Sequence, residues 1–217
     1  PTEVGPWGLL QPVADGLKLF QKEQIVPAAA QRFLFLLAPL LVVVAALAGA
    51  AVIPWSAELM VADLHMGVLW ALAMASLMPL PVWIAGWSSN NKYALLGAMR
   101  TVAQGISYEV PLLLTALVPI ILTGSFRMGD IVAAQADLRW FALWPPGPGA
   151  VAFVLFLLTA LAESNRIPFD IPEAESELVA GVTVEYTGMN FGMFYLAEYV
   201  HSLVASGTTS KQLDRET

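Results

Sequence analysis

FLFLLAPLLVVVAALAGAAVI, residues 33–53, carries no charged side chain. A helix of this length spans the roughly 30 Å of a bilayer's hydrocarbon core, which needs about 20 apolar residues. The chain around it has 217 residues and is 58% hydrophobic and 12% charged, with a mean hydropathy of +0.69. An ordinary soluble domain is about 25% charged. The composition is that of an all-α polytopic membrane protein, because a lipid solvent requires every backbone polar group to be satisfied within a helix or a closed barrel.

Four more apolar stretches follow, at about residues 64–87, 104–124, 142–162 and 178–205. Together they predict a single transmembrane domain over 1–207, a bundle of about five spans, and a polar, disordered tail over 208–217. Pro79 and Pro81 should kink the second span. Before the first span, Leu9, Leu10, Val13, Leu17 and Phe20 recur at spacings of three and four, which predicts an amphipathic surface helix over about 6–20. Lys18, Lys22, Arg32, Lys92, Arg100 and Arg166 fall on one side of this topology, and Arg127, Arg139, Lys211 and Arg215 on the other. The excess places the N-terminal side in the cytoplasm or matrix.

Several classes of function are excluded for this chain. It has no cysteine, so it holds no disulfide, thiolate zinc or cysteine-ligated iron–sulfur cluster. His65 and His201 lack metal-ligand spacing, and no metal site is expected. No phosphate-binding glycine loop and no basic patch for nucleic acid is present.

Carboxylates are the informative residues. Glu109, Glu163, Glu185 and Glu198 lie within or at the ends of apolar spans. A charged carboxylate at the bilayer centre costs roughly 2.5–3.5 kcal/mol on insertion scales. A buried carboxyl can switch protonation state near neutral pH, so a series bridged by water can relay protons. Glu185 and Glu198, read on one continuous helix, stand about 20 Å apart along it and face different neighbours. The stretch NRIPFDIPEAESELVAG, residues 165–181, adds Asp170, Glu173, Glu175 and Glu177 against Arg166. Pro172 and the acids after it suit a helix start. The rest form an acidic entrance on the cytoplasmic face. The aromatic and methionine cluster GMNFGMFYLAEY suits either helix packing or a pocket for a flat lipophilic ligand.

Three long stretches carry a resemblance: VGPWGLLQPVADGLKLFQKE (4–23), AGWSSNNKYALLGAMRTVAQGISYEV (85–110) and AESNRIPFDIPEAESELVAGVTVEYTGMNFGMFYLAEY (162–199). They closely resemble the H subunit of NADH:quinone oxidoreductase, respiratory complex I. The resemblance implies a non-redox component of a translocase, inactive alone, in a bacterial or organellar inner membrane. It implies partners in the peripheral and membrane arms, which would hold NADH, FMN and the iron–sulfur clusters, with quinone as substrate and lipid around the chain. It further implies a proton relay through Glu109, Glu163, Glu173, Glu175, Glu177, Glu185 and Glu198. Asp15, Lys18, Arg166, Asp170, Phe191 and Phe194 would shape the quinone chamber. Family members carry further spans at both ends, so this chain reads as truncated. The membrane anchor of an energy-converting hydrogenase is the alternative; it would share the topology without needing a quinone.

Overall fold

The computed structural model describes residues 8, 10–55, 61–135, 141, 148–165, 169 and 180–210. Its elements are α1 (Gln11–Gln21), α2 (Arg32–Ala50), α3 (Gly67–Leu77), α4 (Pro79–Ser88), α5 (Lys92–Thr123), α6 (Met128–Ala133) and α7 (Pro148–Glu163), then a 3-10 turn (Gly181–Glu185) and α8 (Gly188–Ser210). Among the described residues, three stretches are long and apolar enough to cross a membrane: Arg32–Ala50, Gly67–Ser88 and Lys92–Thr123. The chain is an all-α membrane protein. The α7 helix is apolar but shorter, and α8 is long enough but less apolar.

Two prolines divide the second span as expected. The α3 and α4 helices meet at Met78, and Pro79 and Pro81, which lack N–H donors, open α4. The third span differs from its expected start near 104. Its helix begins twelve residues earlier, at Lys92, where the Asn91 side chain accepts a hydrogen bond from Tyr93 N at 2.9 Å. At about 1.5 Å per residue its 32 residues reach about 48 Å, longer than the hydrocarbon layer is thick. The early turns bury Ala94, Gly97, Ala98, Thr101 and Gln104, a helical stripe of small and polar residues that counting apolar side chains overlooks. Gly124, at φ +69°, caps the far end with its N–H on Ile120 O.

The fifth span departs further from expectation. Its described part is not one helix: the 3-10 turn ends at Glu185, and α8 begins at Gly188. Gly188 has φ +58°, and a Cβ there would stand 2.7 Å from Lys22 O. The chain turns here because the segment after α1 lies directly against it. Ile25 N donates to Thr187 Oγ1 at 2.9 Å, and Thr187 Oγ1 donates to Glu23 O at 3.2 Å. The α8 backbone also stays helical through Ser210, beyond the expected boundary at 207.

The α2 helix packs on α3, α4 and α8, and α5 packs on α4, α7 and the 3-10 turn. The core gathers Phe35, Val42, Ala85, Ala98, Val182, Tyr186 and Phe194. Phe35 and Tyr186 stack at 4.1 Å, and Phe194 meets Tyr186 edge-on at 4.8 Å. The Tyr186 hydroxyl donates to Phe35 O at 3.1 Å, giving a buried polar group its partner. Outward-facing Val44, Leu47, Leu114, Ile121 and Val151 are more than half exposed. In a lipid solvent that exposure carries no hydrophobic penalty.

The two ends of the bundle are tied differently. At one end Gln31 N donates to Ser88 O at 2.9 Å. At the other, Trp70 Nε1 donates to Ala48 O at 3.0 Å, and Arg127 Nε donates to Asp63 Oδ1 at 3.1 Å. The hydrogen-bonded Arg127 guanidinium holds the exposed Asp63 carboxyl below the usual carboxylate value. The α1 helix packs on α8, with Leu19 against Gly192. Its expected apolar stripe turns away from the bundle: Leu10, Val13, Leu17 and Phe20 are all more than half exposed, and Leu9 lies outside the described residues.

Candidate functional site

A cavity of about 110 Å³ lies where α5, α7, α8 and the 3-10 turn converge. Thr101 and Gln104 reach it from α5, Glu163 and Asn165 from the end of α7, Thr183 from the turn, and Glu198 and His201 from α8. Apolar Val42, Met78, Val82 and Phe194 are among the other lining residues. It has room for roughly three water molecules and enough polar partners to hold them.

The end of α7 explains how Glu163 arrives there. Glu163 is the last residue of the helix, and Asn165 follows with φ +50°, a left-handed conformation that asparagine tolerates. Gln104 seals this end. Its Nε2 lies 2.7 Å from Ala162 O, 3.1 Å from Asn165 Oδ1 and 2.9 Å from Phe169 O. The last carbonyls of a helix have no partner within it, and here a buried amide from α5 supplies one. Gln104 Oε1 is itself buried without a hydrogen-bond partner among the described residues. A water in the adjoining cavity would satisfy it.

Gln104→Leu is therefore expected to lower the thermal stability of the detergent-solubilised protein by about 1–3 kcal/mol, the usual penalty for stranding buried polar groups. Thermal unfolding followed by circular dichroism checks this. An unchanged transition would mean that Gln104 does not hold the end of α7.

The predicted site residues separate into groups. Glu163 and Glu198, from different helices, share the cavity. Glu109 lies five residues beyond Gln104 on α5, half-buried and within electrostatic reach of Glu163. Glu185 stands apart from that wall. Its Oε1 accepts a 2.6 Å hydrogen bond from Asn91 Nδ2, the residue that also caps α5. Glu185 and Glu198 do not share a helix, so their expected 20 Å spacing along one axis is replaced by a turn and a break. The cause is the positive φ at Gly188, which the apolar pattern of 178–205 does not reveal.

The sequence matches the family described as NADH dehydrogenase across residues 1–211. The chain belongs to that family. It is 49% identical over 206 residues to the H subunit of the NADH-quinone oxidoreductase of Dehalococcoides mccartyi, covering 95% of this chain and 57% of that relative. To the proteins of the same name from Rhodospirillum centenum and Rickettsia rickettsii it is 47% and 46% identical, covering 97% of this chain and 61% of each relative. The chain thus spans about three fifths of the length of these relatives.

In this NADH dehydrogenase family chain, Asp15 and Lys18 are exposed on α1, where Gln11 Nε2 lies 3.2 Å from Asp15 Oδ1. Phe194 belongs to the aromatic core and also lines the cavity, and Phe191 packs partly buried against the same core beside Tyr195. Arg166, Asp170, Glu173, Glu175 and Glu177 lie outside the described residues, as does Pro172. Among the described residues, no three His, Asp or Glu side chains converge as a metal site would require. Sequence reasoning missed Gln104 and set His201 aside for lack of metal-ligand spacing. His201 follows Glu198 by three residues, which on a helix places both on one face, and that was a usable signal.

Proposed function

We propose that this chain is a membrane component of a proton-pumping NADH:quinone oxidoreductase, where it forms part of the quinone chamber and a carboxylate relay. The observation that carries the reading is the meeting of Glu163 and Glu198 in one cavity inside an apolar bundle, beside Thr101, Gln104, Asn165 and Thr183. Two carboxyl groups from separate helices, bridged by water, can pass a proton without exposing a charge to lipid. Glu109 extends the relay along α5, and Glu185 lies towards the end of the bundle that carries Lys22, Arg32 and Lys92. Glu173, Glu175 and Glu177, with Asp170 and Arg166, would link the relay to the quinone chamber. Asp15 and Lys18 on α1, with Phe191 and Phe194 on α8, would border that chamber.

Electron transfer from NADH belongs to partner subunits of the peripheral arm, which would hold FMN and the iron–sulfur clusters. The chain supplies binding and proton coupling and is not catalytic alone. It would sit as one multi-pass domain in a bacterial or organellar inner membrane, with α1 lying at the membrane surface on its exposed apolar face. A photoreactive quinone analogue applied to the assembled complex should label residues 4–23 or 185–195. Mass spectrometry of the digested complex reads the result. Labelling confined to other subunits would remove the chamber role.

A further inference from the structure

His201 is 8% exposed, and the carboxylate relay does not use it. A second cavity, of about 70 Å³, lies beyond the first and is walled mainly by Val68, Leu112, Ile131, Phe156 and Val204. Among the described residues, only Ala75, Glu163 and His201 line both cavities. Alanine has no polar group, so Glu163 and His201 are the ionisable side chains at the junction between the two cavities. On α8, Glu198 precedes His201 by one turn on the polar side, and Val204 and Ala205 follow on the apolar side. His201 therefore stands between the cavity that holds the polar side chains and the more apolar one.

We propose that His201 is a proton-transfer station between Glu198 and Glu163, completing a relay of mixed carboxyl and imidazole groups. This rests on the relay reading above. Imidazole suits the position because one nitrogen can accept a proton while the other gives one up, so the ring need carry no lasting charge beside an apolar wall. In the step, the O–H bond of protonated Glu198 breaks and an N–H bond forms on one ring nitrogen. The N–H bond on the opposite nitrogen breaks and an O–H bond forms on the Glu163 carboxylate. Waters in the cavity bridge the gaps. One proton moves, Glu198 ends as carboxylate and Glu163 as carboxyl, and His201 ends as its other neutral tautomer. Ring rotation or tautomer exchange through cavity water resets it. The imidazole, on the same cavity wall as both glutamates, shortens the water chain that would otherwise have to join them.

The test uses the assembled complex in membrane vesicles, with Glu163→Gln, His201→Leu, His201→Gln and His201→Ala compared at equal amounts of assembled enzyme. His201→Leu and His201→Gln are expected to slow quinone-dependent proton translocation at least about fivefold, a conservative value for loss of a positioned proton-transfer group. The rate ratio between H2O and D2O should rise in both. Added imidazole should restore His201→Ala and leave Glu163→Gln unchanged. Native translocation in the His201 variants beside a slow Glu163→Gln would overturn the histidine step and leave the carboxylate relay standing. Native rates in all the variants would overturn both. A loss without an isotope effect or imidazole rescue, or failure of every His201 variant to assemble, would mark His201 as a packing residue and overturn the step.

Discussion

Glu163→Gln, in an assembled complex, is expected to lower quinone-dependent proton translocation at least about tenfold, with assembly retained. Tenfold corresponds to about 1.4 kcal/mol on the limiting barrier, well within what one positioned proton-transfer group supplies. The substitution is nearly isosteric and keeps a hydrogen-bonding group at the end of α7, so the seal made by Gln104 on Ala162 O, Asn165 and Phe169 should survive. Glutamine cannot take up and release a proton, and in the proposed relay Glu163 is the carboxyl group on which the other members converge. It shares one cavity with Glu198, borders the second cavity with His201, and lies within electrostatic reach of Glu109. Glu163→Asp keeps the carboxyl but shortens its reach, and should retain more activity than Glu163→Gln. Dye-quenching assays in vesicles measure translocation, and NADH:quinone turnover measures the coupled reaction. Native values of both in Glu163→Gln would remove the relay.

A second large effect is expected at Gly86, on structural grounds alone. The α4 helix buries Pro81, Ala85, Gly86 and Ser88 and packs on α5, where Gly86 faces Ala94 and Ala98. A Cβ on Gly86 would collide with Ala98 Cβ and stand 2.7 Å from Ala94 O. Neither neighbour can rotate away, since one is a methyl carbon on the helix itself and the other is backbone. Gly86→Val should destabilise the bundle by about 3 kcal/mol or more, the upper range for overpacking. The expected result is loss of folded protein from the membrane fraction. Gly86→Ala should be milder, and Ala98→Gly in the same chain should partly restore it by removing the methyl group it strikes. Quantitative immunoblotting and thermal unfolding of the purified protein report both effects. Wild-type amounts and stability in Gly86→Val would show that α4 and α5 are not in close contact at this point.

Much of the bundle was legible in the pattern of apolar residues. Residues 33–53 match α2 to within a few positions, and the kink expected at Pro79 and Pro81 is the junction of α3 and α4. The buried acids were legible because charge is rare in such a chain. Less legible was the true start of α5, whose first twelve residues carry charged Lys92 and Arg100 on one face and a stripe of small side chains on the other. Asn91 before Lys92 was a capping signal that the apolar count did not weigh. The break before α8 was hidden as well. A glycine within an apolar run reads as an interhelix contact as readily as a bend, and only the nearness of Lys22 O requires Gly188 to turn.

Composition and periodicity by themselves determined that this protein is an all-α membrane chain with carboxylates inside its spans. Both conclusions follow from local physics: the length of hydrocarbon a helix must cross, and the cost of carrying a charge into it. Long motifs in the sequence also pointed to the family. Only the tertiary structure decided which acids meet. Glu163 and Glu198 share a cavity and Glu185 does not: Glu185 lies in the turn before Gly188, held by Asn91, while Glu198 is carried by the helix that starts after the turn. The same holds for Gln104 and His201. Their surroundings depend on helices distant in sequence coming within hydrogen-bonding range or onto a common cavity wall, and no periodicity within one segment encodes the side chains contributed by another.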